Sequence, residues 1–215
     1  MGSREWENHS GYQGARFVVG NSATWQLVSH PPLPTPHSRL IQSAAMLLRS
    51  YDGKSPRIGH RVFVAENATL IGDVVLCDDC SIWHGAVLRG DVHSIRIGAR
   101  TNIQDNCVLH VTNGTHPIDI AEEVTIGHGV IAHGCTIGRG ALIGMGSRVL
   151  DGARIGELAL VGAGALVGEG MEIPPRTLAV GVPAKVKRDL RMEEIVRLEQ
   201  SWRNYMEYKE QYLSS

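Results

Sequence analysis

Apolar residues recur at every sixth position along the second half of the chain. Seven of them follow one another without interruption: Ile137, Ile143, Val149, Ile155, Val161, Val167 and Ile173. Glycine directly follows most of them, with Leu150 and Pro174 as exceptions, and a small residue stands two positions before most of them. A spacing of six is incompatible with an α-helix, whose apolar residues lie three and four apart.

An interrupted form of the same pattern occupies the chain from Ile58 to Leu109. The spacing predicts short flat strands that meet at corners, so that three hexads close one triangular coil. In each hexad we expect the apolar and the small residue to face inward, and the glycine to relieve backbone strain at the turn. Stacked coils would share strand-type hydrogen bonds at about 4.8 Å. The pattern therefore predicts a parallel β-solenoid.

Different patterns flank this coil. Residues 1–40 lack apolar periodicity and end in a proline-rich run, so we expect an N-terminal arm that is flexible or partly ordered. Its first residues, Met-Gly-Ser, are typical of an expression leader. The coil itself is expected to occupy residues 41–186. Apolar residues within 187–215 fall at helical spacings, which predicts a C-terminal helix that packs back along the coil.

Composition narrows the functional classes. Lys and Arg total 21 against 22 Asp and Glu, so the net charge of -1 offers no basic field for nucleic acid or an anionic membrane. No apolar run reaches the roughly 18 residues that span a bilayer, and the start lacks a signal-peptide pattern. We therefore expect a cytoplasmic protein. The cysteines are expected to be structural thiols: Cys77, Cys80, Cys107 and Cys135.

Three of the ten histidines, His110, His128 and His133, lie inside the repeats. His110 and His128 are 18 residues apart, one complete turn of a regular coil, which would make them vertical neighbours unless the segment 112–118 bulges. The five residues from His128 to His133 cover roughly 16 Å of extended chain and lead towards another corner. A metal ion shared by all three would thus need a neighbouring subunit, and threefold symmetry suits a triangular prism. Alternatively, the histidines merely occupy corners of the coil.

Several segments, in order and spacing, resemble the γ-class carbonic anhydrases and closely similar bacterial hexapeptide proteins. They are Leu88-Arg89-Gly90-Asp91, Asn102-Ile103-Gln104-Asp105, Leu109-His110 and the pair His128 and His133. The resemblance extends from about Ser50 to Leu213. It implies a left-handed parallel β-helix of hexapeptide repeats with a C-terminal α-helix, assembled as a homotrimer that hydrates carbon dioxide reversibly to bicarbonate.

The resemblance also implies roles for the matching residues. His110 and His133 of one subunit and His128 of its neighbour would bind zinc, although Fe(II) or Co(II) can use the same ligands. A metal-bound hydroxide would then attack carbon dioxide. The other catalytic candidates are polar: Arg89, Asp91, Asn102, Gln104, Asp105 and Tyr205. Arg89 and Asp91 would pair at the interface, Gln104 would contact metal-bound water or substrate, Asn102 and Asp105 would steady the site, and Tyr205 would reach it from the helix.

One departure from that class concerns proton export. The best-studied members carry acidic residues after the Arg-x-Asp motif and in the loop after the first histidine, whereas this chain has Val92 and a loop 111–115 without carboxylates. Because turnover requires proton export, we expect slow catalysis, with His93 or His116 as a substitute shuttle. Two alternatives stay open: a hexapeptide acyltransferase that uses acetyl-CoA, and a metal-binding homologue without catalysis.

Overall fold

The computed structural model of the chain describes Ala15–Val19, Trp25–Ser29 and residues 47–214. The chain divides into two units, Met1–Gln42 and Ser43–Ser215. In the first unit, β1 (Ala15–Val19) and β2 (Trp25–Ser29) pair as an antiparallel hairpin, which the sequence analysis did not predict. The rest of the expected arm lies outside the described residues.

The second unit is a parallel β-solenoid of about seven coils that matches a left-handed β-helix of hexapeptide repeats. This confirms the predicted fold class. Its strands are mostly two or three residues long: β3 (Leu47–Arg49), β4 (Arg57–Ile58), β5 (Phe63–Val64), β6 (Thr69–Leu76), β7 (Ser81–Ile82), β8 (Val87–Ile97), β9 (Asn102–Ile103), β10 (Val108–His110), β11 (Ile118–Ile120), β12 (Thr125–Ile126), β13 (Ile131–His133), β14 (Thr136–Ile137), β15 (Leu142–Ile143), β16 (Arg148–Val149), β17 (Arg154–Ile155), β18 (Leu160–Val161), β19 (Leu166–Val167), β20 (Glu172–Ile173), β21 (Thr177–Val180) and β22 (Lys185–Asp189).

The strands stack into three faces of a prism. Face 1 contains β3, β10, β13, β16 and β19, and face 2 contains β4, β11, β14, β17 and β20. The long strands β6 and β8 bend around the corner and belong to both of these faces. Face 3 runs from β5 through β7, β9, β12, β15 and β18 to β21, and β22 closes it with an antiparallel pairing.

The repeat buries its apolar and small residues as predicted. Ile143 and Val161 are completely buried on successive coils, and so are Ala141 and Ala159. Because strand residues alternate between the two sides, each hexad sends one large and one small side chain into the prism. This pattern fills the interior of the prism mainly with apolar side chains.

The predicted role of the glycine after the apolar residue holds at Gly72, which follows Ile71 and has a φ of 74°, but not at most other positions. Gly144 has no positive φ, whereas Gly146, three residues after the apolar Ile143, has a φ of 69°. A Cβ atom on Gly144 would clash with the backbone nitrogen of Ala163 in the next coil. The glycine therefore permits close approach of stacked coils, and the left-handed turn conformation falls two residues later.

The helix α1 (Met192–Ser214) covers part of face 3 and contacts β5, β7 and β12. Its buried side chains are Ile195, Leu198, Trp202 and Lys209. The Glu194 carboxylate accepts the backbone N–H of Arg191 at 2.9 Å, which caps the first turn. The helix begins later than residue 187 because the chain first completes β22.

Three of the four cysteines lie in the core, and Cys77 is exposed. Burial raises the pKa of the Cys80 and Cys135 thiols to about 12 and that of Cys107 to about 11. These three thiols therefore stay protonated and pack as small apolar groups. Within the ranges that the structure describes, no helix has the length and apolar character needed to cross a membrane.

Candidate metal centre

The register of face 1 brings two of the three histidines together. His110 at the end of β10 lies directly opposite His133 at the end of β13, and Arg89 of β8 lies opposite His110 in the preceding coil. His110 and His133 are 23 residues apart because the loop after β10 adds five residues to the regular 18. The expected bulge in the segment 112–118 is therefore present, and because of it His110 and His128 are not vertical neighbours.

The nitrogens of His110 and His133 converge outside the prism. Leu109 and Ala132 are buried, so alternation along each strand directs the neighbouring histidines outward. His110 Nδ1 lies 3.0 Å from His133 Nε2. Two nitrogens on one tetrahedral zinc, each about 2.0–2.1 Å from the ion, are roughly 3.3 Å apart. The pair thus has nearly the separation that a shared metal ion requires.

The third histidine, His128, lies at another corner, between β12 on face 3 and β13 on face 1. Its backbone N–H donates to Gln104 Oε1 at 3.1 Å, and its Nε2 lies 3.5 Å from the hydroxyl of Tyr205 on α1. Among the residues that the structure describes, no three His, Cys, Asp or Glu side chains of one chain are grouped to hold a metal. That one subunit cannot supply all three ligands stays a prediction.

Each of the three imidazoles has a carboxylate partner from an adjacent coil. The pairs are His110 Nε2 with Asp91 Oδ1 at 3.1 Å, His128 Nδ1 with Asp105 Oδ2 at 2.7 Å, and His133 Nδ1 with Asp151 Oδ1 at 2.5 Å. A carboxylate that accepts one ring N–H fixes the tautomer and leaves the other nitrogen available as a ligand. Asp91 and Asp151 form such hydrogen bonds, whereas Asp105 lies beside His128 Nδ1 as an ion-pair contact. The available atoms are His110 Nδ1, His128 Nε2 and His133 Nε2. This donor set fits a zinc ion.

Arg89 and Asp91 form the predicted ion pair, with the guanidinium 2.6 Å from Asp91 Oδ2. Burial opposes ionisation of Asp91, but the hydrogen bonds from Arg89 and His110 prevail and lower its pKa. Burial also lowers the pKa of His110 against the opposing effect of Asp91. A charged Asp91 beside a neutral His110 is the combination that metal binding needs, because only neutral imidazole is a ligand.

Asn102 and Gln104 form a buried chain of hydrogen bonds beneath His128. Gln104 Nε2 donates to Asn102 Oδ1 at 3.1 Å, and Asn102 Nδ2 donates to Thr125 Oγ1 at the same distance. The opposite end of the Gln104 amide accepts the backbone N–H of His128. Gln104 therefore has a positioning task besides the predicted contact with water or substrate, and Asn102 steadies it.

Asp151 was not among the site residues predicted from the sequence. Its two carboxylate oxygens accept from His133 Nδ1 and from the Thr112 hydroxyl, both at 2.5 Å. Burial acts to raise the pKa of Asp151, but these hydrogen bonds lower it, so the group is charged near neutral pH. Asp151 follows His133 by 18 residues, which is one regular coil. That spacing could be read from the sequence, but nothing in the sequence distinguished Asp151 from other acidic residues at corner positions.

The remaining predicted side chains lie near the site with different contacts. Burial, together with the charge of Asp105, raises the pKa of Tyr205 to about 12, so its phenol stays protonated beside His128. His93 and His116 hydrogen-bond to their chain neighbours, Ser94 at 2.7 Å and Thr115 at 3.0 Å.

Comparisons with known proteins place the chain among proteins of this architecture. The family described as bacterial transferase hexapeptide (six repeats) matches residues 55–90 and 134–169. YrdA of Escherichia coli K12 is 46% identical over 173 residues, which cover 78% of this chain and 94% of YrdA. A carbonic anhydrase of Geobacillus kaustophilus is 47% identical over 166 residues, or 77% of this chain and 91% of that enzyme.

Solved structures share the fold. A Bacillus cereus protein provisionally described as an acetyltransferase superposes with a TM-score of 0.77 at 46% identity, covering 79% of this chain and 98% of its own. A hexapeptide transferase family protein of Anaplasma phagocytophilum gives 0.74 at 43% identity, with coverages of 77% and 98%. Together with the site geometry, these likenesses show that the chain belongs to the γ-class carbonic anhydrase-like family of hexapeptide-repeat proteins.

Proposed function

We propose that the protein is a homotrimer that binds one zinc ion at each subunit interface and catalyses the reversible hydration of carbon dioxide to bicarbonate. One observation carries this proposal: His110 Nδ1 and His133 Nε2 converge to 3.0 Å on the outer surface while His128 lies at a different corner. Two ligands of a three-histidine set are therefore preformed on one surface, and the third is displayed for a neighbour.

Exposed apolar residues beside the His110 and His133 pair and beside His128 support a trimeric assembly. Val108 and Ile131 lie next to the converging histidines on face 1 and are 39% and 37% exposed. Met145 lies next to His128 in the following coil at the same corner, because Gly146 donates its N–H to the His128 carbonyl. The Met145 side chain is 58% exposed. When face 1 of one subunit packs on the corner of the next, a closed ring of three such contacts buries these residues and completes three metal centres.

The residues of the chain divide the chemistry among them. The three imidazoles would hold a zinc ion, which would supply a coordinated water with a pKa lowered to about 7. Asp91 and Asp151 hold His110 and His133 in the ligating tautomer. Asp105 lies beside His128 Nδ1, and Gln104 fixes the backbone of His128. Proton export lacks a carboxylate in the loop after His110, so we propose that turnover is slow.

Metal analysis tests the centre. We expect about one zinc per subunit in the parent protein, because a closed trimer has three interfaces and therefore one shared centre per subunit. His110→Ala, His128→Ala and His133→Ala should each lose the metal, whereas His60→Ala, at an exposed corner, should retain it. Stopped-flow hydration of carbon dioxide by the zinc-replete protein then tests catalysis. Bound zinc without a metal-dependent rate above buffer would leave a metal-binding homologue without catalysis.

Subunit mixing tests whether the site is shared. A trimer of His110→Ala subunits or of His128→Ala subunits contains no complete centre. Co-refolding the two variants in equal amounts should restore about a quarter of the centres, because each needs an intact face 1 next to an intact His128 corner. Absence of restored zinc binding in mixed trimers would contradict ligands from two subunits. An acetyl-CoA-dependent activity that survives all three substitutions would favour the acyltransferase alternative, for which the shared fold is the support.

A further inference from the structure

An open pocket of about 280 Å³ lies between α1 and the corner that carries His128. It is lined by Trp83, His84, Asp105, Tyr205, Tyr208, Gln211 and Tyr212. The three tyrosines are spaced three and four residues apart along α1, so they share one face of the helix. That face is turned towards Trp83, which follows β7 on the coil.

The rings form the walls of a box. Tyr205 and Tyr212 both stand nearly perpendicular to Trp83, at 81° and 83°, with centroids 5.3 and 5.1 Å away. Tyr208 stands at 72° to Tyr205 with its centroid 5.5 Å away. Trp83 is 6% exposed and forms a floor, while Tyr208 and Tyr212 are exposed at the rim. The pocket thus combines aromatic walls at right angles with free access from solvent.

Negative charge lies beside these rings. Successive coils stack Glu66, His84 and Asp105 in one corner column, and Glu66 Oε1 lies 3.8 Å from His84 Nδ1. The negative charge of Asp105 acts together with burial to raise the pKa of the Tyr205 phenol. The neighbouring cation of α1, Lys209, is fully buried and donates to Asp79 at 2.6 Å. The pocket is therefore lined by one carboxylate, Asp105, and by no lysine or arginine.

We propose that this pocket binds a small organic cation of the quaternary ammonium class. The faces of Trp and Tyr attract a cation within about 6 Å through the ring quadrupole, and Asp105 adds its charge. Methylated ammonium suits the walls better than a primary amine, because its methyl groups pack on rings and require no hydrogen-bond acceptors. Binding at this pocket goes beyond the proposed hydration of carbon dioxide and does not require zinc, although Asp105 and Tyr205 are shared with the metal centre.

Choline chloride is the probe, and its uncharged isostere, with a tert-butyl group in place of trimethylammonium, is the matched ligand. Isothermal titration of the full chain as purified, at pH 8, should give saturable choline binding in the millimolar range. The isostere should bind at least about tenfold more weakly, since it keeps the shape and loses the cation–π attraction. Tyr208→Leu should weaken choline binding about fivefold, and Tyr208→Phe should preserve it, because the ring face remains. Tyr51→Leu, an exposed tyrosine outside the pocket, should have no effect.

Three outcomes would overturn the proposal: equal affinity for choline and its isostere, a Tyr208→Leu variant that binds like Tyr51→Leu, or no saturation at tens of millimolar choline. The titration is repeated after removal of zinc with a chelator, and choline binding should persist. Its loss would also contradict a pocket built by one chain. Zinc content and carbon dioxide hydration are measured on the same samples, so failure of the cation site and failure of the metal centre give separate results.

Discussion

Asp151 offers a sharp test of the metal centre, because it touches His133 without being a proposed ligand. Asp151→Asn keeps the shape of the side chain and removes its charge. The amide oxygen can still accept from His133 Nδ1, and the amide nitrogen can donate to the Thr112 hydroxyl, which now lies 2.5 Å from the carboxylate. The variant therefore isolates the effect of the negative charge on the basicity of His133.

The size of the effect follows from the surroundings of Asp151. Loss of a carboxylate behind a metal-bound histidine typically weakens metal binding 10- to 100-fold, or about 1.4–2.7 kcal/mol. Asp151 is 23% exposed, so solvent screens part of its charge. We therefore expect the lower end of this range, about a tenfold increase in the Kd for zinc.

Competition with a chromophoric chelator at pH 7.5 measures this affinity. Asp119→Asn is the matched control, because Asp119 is an exposed strand residue on face 2. Circular dichroism confirms that each variant is folded. If Asp151→Asn binds zinc as tightly as the parent and the control, the carboxylate has no influence on the ligand and the argument from paired imidazoles fails.

Other consequences of the structure are equally open to measurement. Gly144→Ala should lower the free energy of unfolding by at least about 2 kcal/mol, because its Cβ meets the next coil, while Gly168→Ala, with nothing within 4 Å, should change it by less than about 0.5 kcal/mol in chemical denaturation. Lys209→Met should lower it by about 1–3 kcal/mol, because Asp79 and the Arg61 carbonyl each lose a donor; an unchanged thermal midpoint would contradict that role. Carbon dioxide hydration should accelerate with imidazole buffer concentration at fixed pH and ionic strength, and a rate independent of buffer would mean that proton export is not limiting.

The solenoid could be predicted because an apolar residue at every sixth position shows which side of each strand faces the core. An apolar residue such as Ile143 must point inward, and its neighbours in the hexad follow from strand alternation. The function of the glycine could not be inferred in the same way. Strain at a turn and close approach of two backbones both favour glycine, and only the position of Ala163 above Gly144 distinguishes them.

The pairing of the histidines depended on loop lengths that periodicity does not specify. A regular coil places residue i over residue i+18, as for Leu142 and Leu160, and this rule pairs His110 with His128. The loop after β10 shifts the register, so that His133 rather than His128 lies opposite His110. The resemblance to the γ-class enzymes implied the correct pair because it assigned the residues directly, without counting along the coil.

The carboxylate partners show why no single motif could have revealed the site. Asp91 precedes His110 by 19 residues, Asp105 precedes His128 by 23, and Asp151 follows His133 by 18. Each carboxylate nonetheless belongs to a coil next to that of its histidine, because insertions in the loops change the spacing along the chain without changing which coils are adjacent. Only Asp105 occupies the same column as its histidine. Asp91 reaches His110 diagonally, since Arg89 is the residue directly opposite, and Asp151 reaches His133 from the neighbouring column. In a solenoid, the chemistry of a site is therefore set by residues of adjacent coils in the same or the next column, and a search on that basis would find carboxylates that a search by sequence spacing overlooks.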